Sequence, residues 1–169
     1  MIQIGRYKLG VAKTNYSLWG GSAGARMAAT LGNKNNLLYL TDDPDIPQAA
    51  AVVMQYTGYS TASPQDPPTY NCVGSDDGIA SWRTMQNRLQ RLSAMGIPTE
   101  FHVYEGLEHG FGIGTGTVAE GWIKDAIKFW EANMKNEDSS GIEEIVDDDH
   151  GAPRAFGMEG LWKECIDKI

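Results

Sequence analysis

The chain has 169 residues, 41% of them hydrophobic, enough for one domain with a real core. Its 22 acidic against 14 basic side chains give a formal net charge of −8, which argues against a nucleic-acid partner. No apolar run approaches the ~20 residues of a membrane-spanning helix, and Met1-Ile2-Gln3-Ile4-Gly5-Arg6 opens no secretory pattern. The expectation is a protein without a membrane partner, cytoplasmic as written, with secretion open if an upstream segment is missing.

Residues 1–10 read as the end of a helix closing at Gly10. The first strand is expected over Tyr16 to Trp19, and Gly20-Gly21-Ser22-Ala23-Gly24 follows it directly. Gly-x-Ser-x-Gly between a strand and a helix makes a nucleophile elbow. Small residues let the backbone turn sharply, and the serine stands at the helix N-terminus, where partial positive charge favours a developing oxyanion. The bland alternative is a tight strand-to-helix turn. The helix is expected from Ala23 to Leu31, stopped by Gly32-Asn33. Asp42-Asp43-Pro44-Asp45 then reads as a solvated turn in a loop rather than a cation site.

Ala49 to Tyr56 is a continuous apolar run, the pattern of a strand buried on both faces. Thr57 to Pro68 reads as a long loop at the carboxyl end of that strand, placed to wall a pocket. A strand over Thr69 to Val73 leads into Gly74-Ser75-Asp76-Asp77-Gly78, with Cys72 as a small core residue. Trp82, Met85, Leu89 and Leu92 mark an amphipathic helix ended by Gly96 and Pro98, with Arg83, Arg88 and Arg91 on its solvated face. A strand over Glu100 to Tyr104, with His102 an ordinary strand residue, runs into Glu105-Gly106-Leu107-Glu108-His109-Gly110-Phe111. Gly112-Ile113-Gly114-Thr115-Gly116 lacks the Gly-Lys-Ser/Thr ending of a phosphate loop and reads as a loop beside His109. Thr117-Val118-Ala119-Glu120 fits a capping box. It opens a helix with Trp122, Ile123, Ala126, Ile127, Trp130 and Met134 on its core face. Residues 136–169 divide from the 1–135 core as an acidic linker followed by a segment, Ala155 to Ile169, with some helical pattern. His150 there reads as part of an exposed turn, and Cys72 and Cys165 suggest neither a disulfide nor a metal site.

A nucleophilic serine needs a base, and the base needs an orienting acid. In a strand-turn-helix setting the chain order runs Ser, Asp or Glu, His. Ser22, then Asp76 or Asp77, then His109 satisfy it, each just past the carboxyl end of a strand, where open α/β sheets place their sites. Four strands alternating with helices predict a parallel α/β sheet.

On these residues the chain resembles the α/β-hydrolase superfamily, most closely its esterase/lipase branch, which includes carbohydrate acetyl esterases. Trp19 to Ala25, Val73-Gly74-Ser75-Asp76-Asp77-Gly78 and Tyr104-Glu105-Gly106 leading to His109-Gly110-Phe111 carry the resemblance, which spans about residues 10–134. It implies Ser22 as nucleophile, His109 as general base, Asp77 rather than Asp76 as acid, and Ala23 N–H as oxyanion donor. It further implies hydrolysis of a small-molecule short-chain ester, acetyl being one candidate acyl group, with no metal or organic cofactor. Family members carry roughly twice this core, their amino-terminal half supplying four strands and a His-Gly-Gly-type loop with a second oxyanion donor. Here about fifteen residues precede the elbow strand and no His-Gly-Gly occurs. The expected fold is therefore a partial one, the carboxyl-terminal half, with an open edge at Tyr16 to Trp19. The carboxyl-terminal segment, a second copy or a separate chain are the three ways to cover that edge, with a homodimer favoured. The rival classes are a non-catalytic remnant or half-subunit that needs a partner, and a binding module without turnover.

Overall fold

The computed structural model describes residues 14–41 and 43–135, all within the unit Met1–Asn136. The expectations for residues 1–10, for Asp42 and for 136–169, including His150 and Cys165, lie outside the described residues.

Four strands form one parallel sheet in chain order: β1 (Ser17–Gly21), β2 (Ala51–Gln55), β3 (Thr69–Gly74) and β4 (Thr99–Tyr104). Helix α1 (Ala23–Gly32) follows β1, a short α2 (Lys34–Tyr39) follows α1, α3 (Trp82–Ala94) joins β3 to β4, and α4 (Trp122–Ala132) follows β4. Helices join β1 to β2 and β3 to β4, while the irregular segment 56–68 joins β2 to β3, and each connection carries the chain back across the sheet so that the strands run parallel.

Every residue of β2 and β3 is buried, as a strand with helices on both faces requires. Alternate side chains serve opposite layers. Val52 and Met54 pack with Ala25, Ala28 and Ala29 of α1, whose small side chains let the helix approach the sheet closely. Ala51, Val53, Tyr70 and Cys72 pack with Trp122, Ala126 and Phe129 of α4. Burial raises the Cys72 thiol far above its ordinary range, consistent with a core residue. Helix α3 ends with Gly96 N–H on the Ser93 carbonyl and Ile97 N–H on the Leu92 carbonyl, the paired bonds of a Schellman stop. Among the described residues β1 pairs only with β2, so its outer edge is open there, and Trp19 is 39% exposed.

Four expectations are corrected. The chain after α1 does not pass straight into a loop. Asn33 ends α1 in an extended conformation (φ −66°, ψ 126°), and its side chain accepts the N–H groups of Asn35 and Asn36 to start α2. The capping box does not open α4. Gly121, at φ 92°, interrupts the backbone, so the helix begins at Trp122. Thr117 Oγ1 instead accepts the Ala119 N–H and Glu120 Oε2 the Gly116 N–H, closing a turn of their own. The core face of α4 includes Phe129. Finally, Arg88 is not on a solvated face but 1% exposed. Asp43 Oδ1 accepts the Asp45 N–H, the local turn expected of that acidic stretch.

Candidate active site

Ser22 sits between the last residue of β1 and the first of α1 at φ 53° and ψ −118°. A residue with a Cβ enters that region only when its surroundings hold it there. Its N–H donates to the Gln55 carbonyl at the end of β2 (3.0 Å), and its own carbonyl accepts the Arg26 N–H (3.4 Å), so the turn is pinned from both sides. Gly20 makes the turn possible: a Cβ there would lie 2.3 Å from the backbone of Gly24. Ala23 begins α1 and lines the cleft over Ser22, and among the described residues its N–H has no acceptor.

The loop after β3 brings Asp77 to the same edge, and the loop after β4 brings His109. They are laced together: Ser75 N–H donates to the Tyr104 carbonyl (2.8 Å) and Asp76 N–H to the Leu107 carbonyl (3.1 Å). Gly74 permits this approach, since a Cβ there would fall 1.9 Å from the Leu107 carbonyl oxygen. His109 Nδ1 lies 2.8 Å from Asp77 Oδ2, and His109 Nε2 lies 3.0 Å from Ser22 Oγ. A carboxylate only accepts, so Nδ1 carries the imidazole proton and Nε2 presents its lone pair to the serine hydroxyl. The Asp77 side chain is fully buried, and its second oxygen accepts the N–H groups of Ile79 (2.8 Å) and Ala80 (2.7 Å). Those bonds satisfy the buried carboxylate and fix its direction. Asp76 points away, exposed, and takes the Ser75 hydroxyl (2.7 Å). The Asp77 bonds to Ile79 and Ala80 close a local turn ahead of α3, whose N-cap is Ser81.

A cleft of about 210 Å³ opens over Ser22, lined by Ala23, Arg26, Tyr56, Thr57, Ile79 and His109 among others. Tyr56, at φ 32°, sets the edge of its ring against His109 (centroids 4.9 Å apart) and against Phe111 (5.1 Å). Burial raises its phenol above the ordinary value, partly opposed by a backbone hydrogen bond from Gly112. Gln55 bridges two parts of the site. Its carbonyl holds the Ser22 N–H, and its side-chain Nε2 donates to the Gly112 carbonyl (2.8 Å), which also accepts Trp122 Nε1 (3.0 Å).

No protein-family profile matches the sequence, and no curated protein matches it. Solved structures do match. An acetyl ester-xyloside bifunctional hydrolase from Caldicellulosiruptor lactoaceticus aligns at TM-score 0.62 and 22% identity, over 78% of this chain and 62% of that one. A carboxylesterase from Lactobacillus plantarum aligns at TM-score 0.63 and 16% identity, over 79% and 65% of the two chains. A thermophilic esterase from Thermogutta terrifontis aligns at TM-score 0.61 and 18% identity, over 81% and 62%. This is a partial α/β-hydrolase fold.

The chain spans about three-fifths of the length of these structures. Within the α/β-hydrolase frame the expected residues Ser22, Asp77 and His109 come together at one sheet edge. Tyr56, Arg26 and Gln55 join them there without a sequence signal. The loop of residues 57–68 contributes Thr57 and Gly58 to the cleft wall, the position expected for it. Its anchor is the buried pair Arg88–Asp66 (3.0 Å). Arg88 Nε donates to the Thr61 carbonyl (2.7 Å), and Asp66 Oδ1 accepts Asn33 Nδ2 (2.6 Å). Arg91 adds a bond to the Ser60 carbonyl.

Proposed function

We propose that this protein is a serine hydrolase of short-chain carboxylic esters. The observation that carries the reading is the single imidazole within hydrogen-bonding reach of both a strained serine and a buried carboxylate. His109 Nε2 takes the Ser22 proton as Oγ attacks the ester carbonyl. Asp77 steadies the imidazolium through Nδ1, and the Ala23 N–H at the start of α1 meets the oxyanion. The tetrahedral intermediate collapses, and the alcohol leaves with the proton from His109. Water, deprotonated by the same imidazole, then attacks the acyl-enzyme, and the acid leaves as His109 returns the proton to Ser22 Oγ. Every step is written with this chain's own side chains, the Ala23 backbone N–H and water. Among the structures of similar fold, an acetyl ester-xyloside hydrolase and a carboxylesterase support an ester substrate, the first of them with acetyl as the acyl group. Hydrolysis of 4-nitrophenyl acetate by the purified chain, with Ser22→Ala as comparison, tests the reading. Turnover in the parent and none above background in the variant supports it, and equal rates refute it.

A second reading, a catalytic half that works only in an assembly, is favoured by two observations. The chain covers about three-fifths of similar structures, and among the described residues β1 has one partner strand. The assembly proposed is a homodimer through the β1 edge. Specific activity that falls on dilution, in step with dissociation seen by sedimentation, is its signature.

A further inference from the structure

Arg26 is a cleft-lining cation with no catalytic task in the mechanism above. It stands one helical turn after Ser22, its N–H on the Ser22 carbonyl (3.4 Å). Helical side chains lean back towards the N-terminus, so a long residue four positions on covers the turn that carries the serine. Its guanidinium carbon lies 5.9 Å from the centroid of the Tyr59 ring. Arg88 lies at that ring too, at 5.3 Å. The two arginines differ in what their charge meets. Arg88 is buried against Asp66, while Arg26 is exposed and has no carboxylate within salt-bridge distance among the described residues. The anchored loop thus fixes Tyr59, and Tyr59 supports the guanidinium of a cleft-lining residue that meets no acid among the described residues. A planar fork of this kind matches a carboxylate through two parallel hydrogen bonds. Support from the ring lowers the entropy lost when it binds.

Resting on the ester-hydrolase reading, we propose that Arg26 recognises a carboxylate on the substrate, so that the preferred esters carry a negative charge a few bonds from the reacting carbonyl. Two probe pairs test it by kcat/KM. Mono-4-nitrophenyl succinate against 4-nitrophenyl butyrate places the charge on the acyl side. 4-Acetoxybenzoate against phenyl acetate places it on the alcohol side. For at least one pair the anionic-to-neutral ratio is expected to fall about five- to tenfold in Arg26→Gln, the scale of a charged hydrogen bond at a partly screened site. Arg26→Lys, which keeps the charge and loses the fork, is expected to restore part of it, and added salt should erode the parent's ratio. Ratios unchanged in Arg26→Gln for both pairs overturn the proposal while leaving Ser22 chemistry standing. Hydrolysis unaffected by Ser22→Ala is the distinct result that removes the underlying reading and this one with it.

Discussion

At the scale of single residues, the backbone of Ser22 is the unusual feature. Its φ of 53° is held by the Gln55 carbonyl on one side and the first turn of α1 on the other. The two glycines of Gly-x-Ser-x-Gly contribute unequally to this turn. Gly20 faces the Gly24 backbone at 2.3 Å, whereas a Cβ on Gly24 meets nothing within 4 Å. Gly20→Ala is therefore expected to disrupt the elbow and lower stability. Gly24→Ala should be neutral or stabilising by up to ~1 kcal/mol, since alanine is the better helix former. Urea unfolding of the two variants checks the contrast. Asp77→Asn leaves the shape of the site intact but can hold His109 in the wrong tautomer, and should cut kcat by about 10³- to 10⁴-fold. Steady-state ester hydrolysis reads it, and a loss of less than tenfold argues against the role given to Asp77. The convergence of Ser22, Asp77 and His109 was legible in the sequence as a candidate, because each follows a strand within a short local pattern. The choice of Asp77 over Asp76 rested on family likeness, and the structure gives its physical reason: two backbone N–H groups aim Asp77 inward. Tyr56 and Arg26 were not legible as site residues, because a positive φ and a helical lean bring them there, and neither leaves a mark in composition.

At the scale of elements, the long loop after β2 is the part that needs outside support. Thirteen residues without regular structure, from Tyr56 to Pro68, would not hold a cleft wall by themselves. Arg88 from α3 and Asp66 within the loop hold it, with Asn33 at the α1–α2 junction as a third point. Removing one member of a buried ion pair leaves the other charge uncompensated, so Asp66→Ala is expected to cost about 3–5 kcal/mol. Chemical denaturation measures this, and a loss below ~1 kcal/mol would show that the pair does not anchor the loop. The helical period of α3 was plain in the sequence, but an arginine among its polar positions looks solvated until its partner, 22 residues upstream in an irregular loop, is seen. Helix α2 was missed for a related reason. Lys34-Asn35-Asn36-Leu37-Leu38-Tyr39 is short and carries two poor helix formers, and it depends on the cap from Asn33.

At the scale of the whole described region, one parallel sheet delivers three loops to one edge. β1 ends in the Ser22 turn, β3 leads into the loop of Asp77 and β4 into that of His109, while β2 supplies the carbonyl that pins the Ser22 turn. The strands and their parallel sense were readable because the apolar strand runs are separated by helical patterns or, between β2 and β3, by a loop long enough to cross the sheet. Which helix covers which face depends on the side-chain alternation of β2 and β3, seen only once the sheet is assembled. The central claim is that this edge makes Ser22 a nucleophile. Reaction of the purified chain with a fluorophosphonate, located by peptide mass spectrometry, tests it without knowledge of the substrate. The account predicts a single phosphonylated peptide carrying the label on Ser22, with none in Ser22→Ala and sharply slowed labelling in Asp77→Asn. An unlabelled parent chain, or labelling that persists at the same rate in Ser22→Ala, would contradict it.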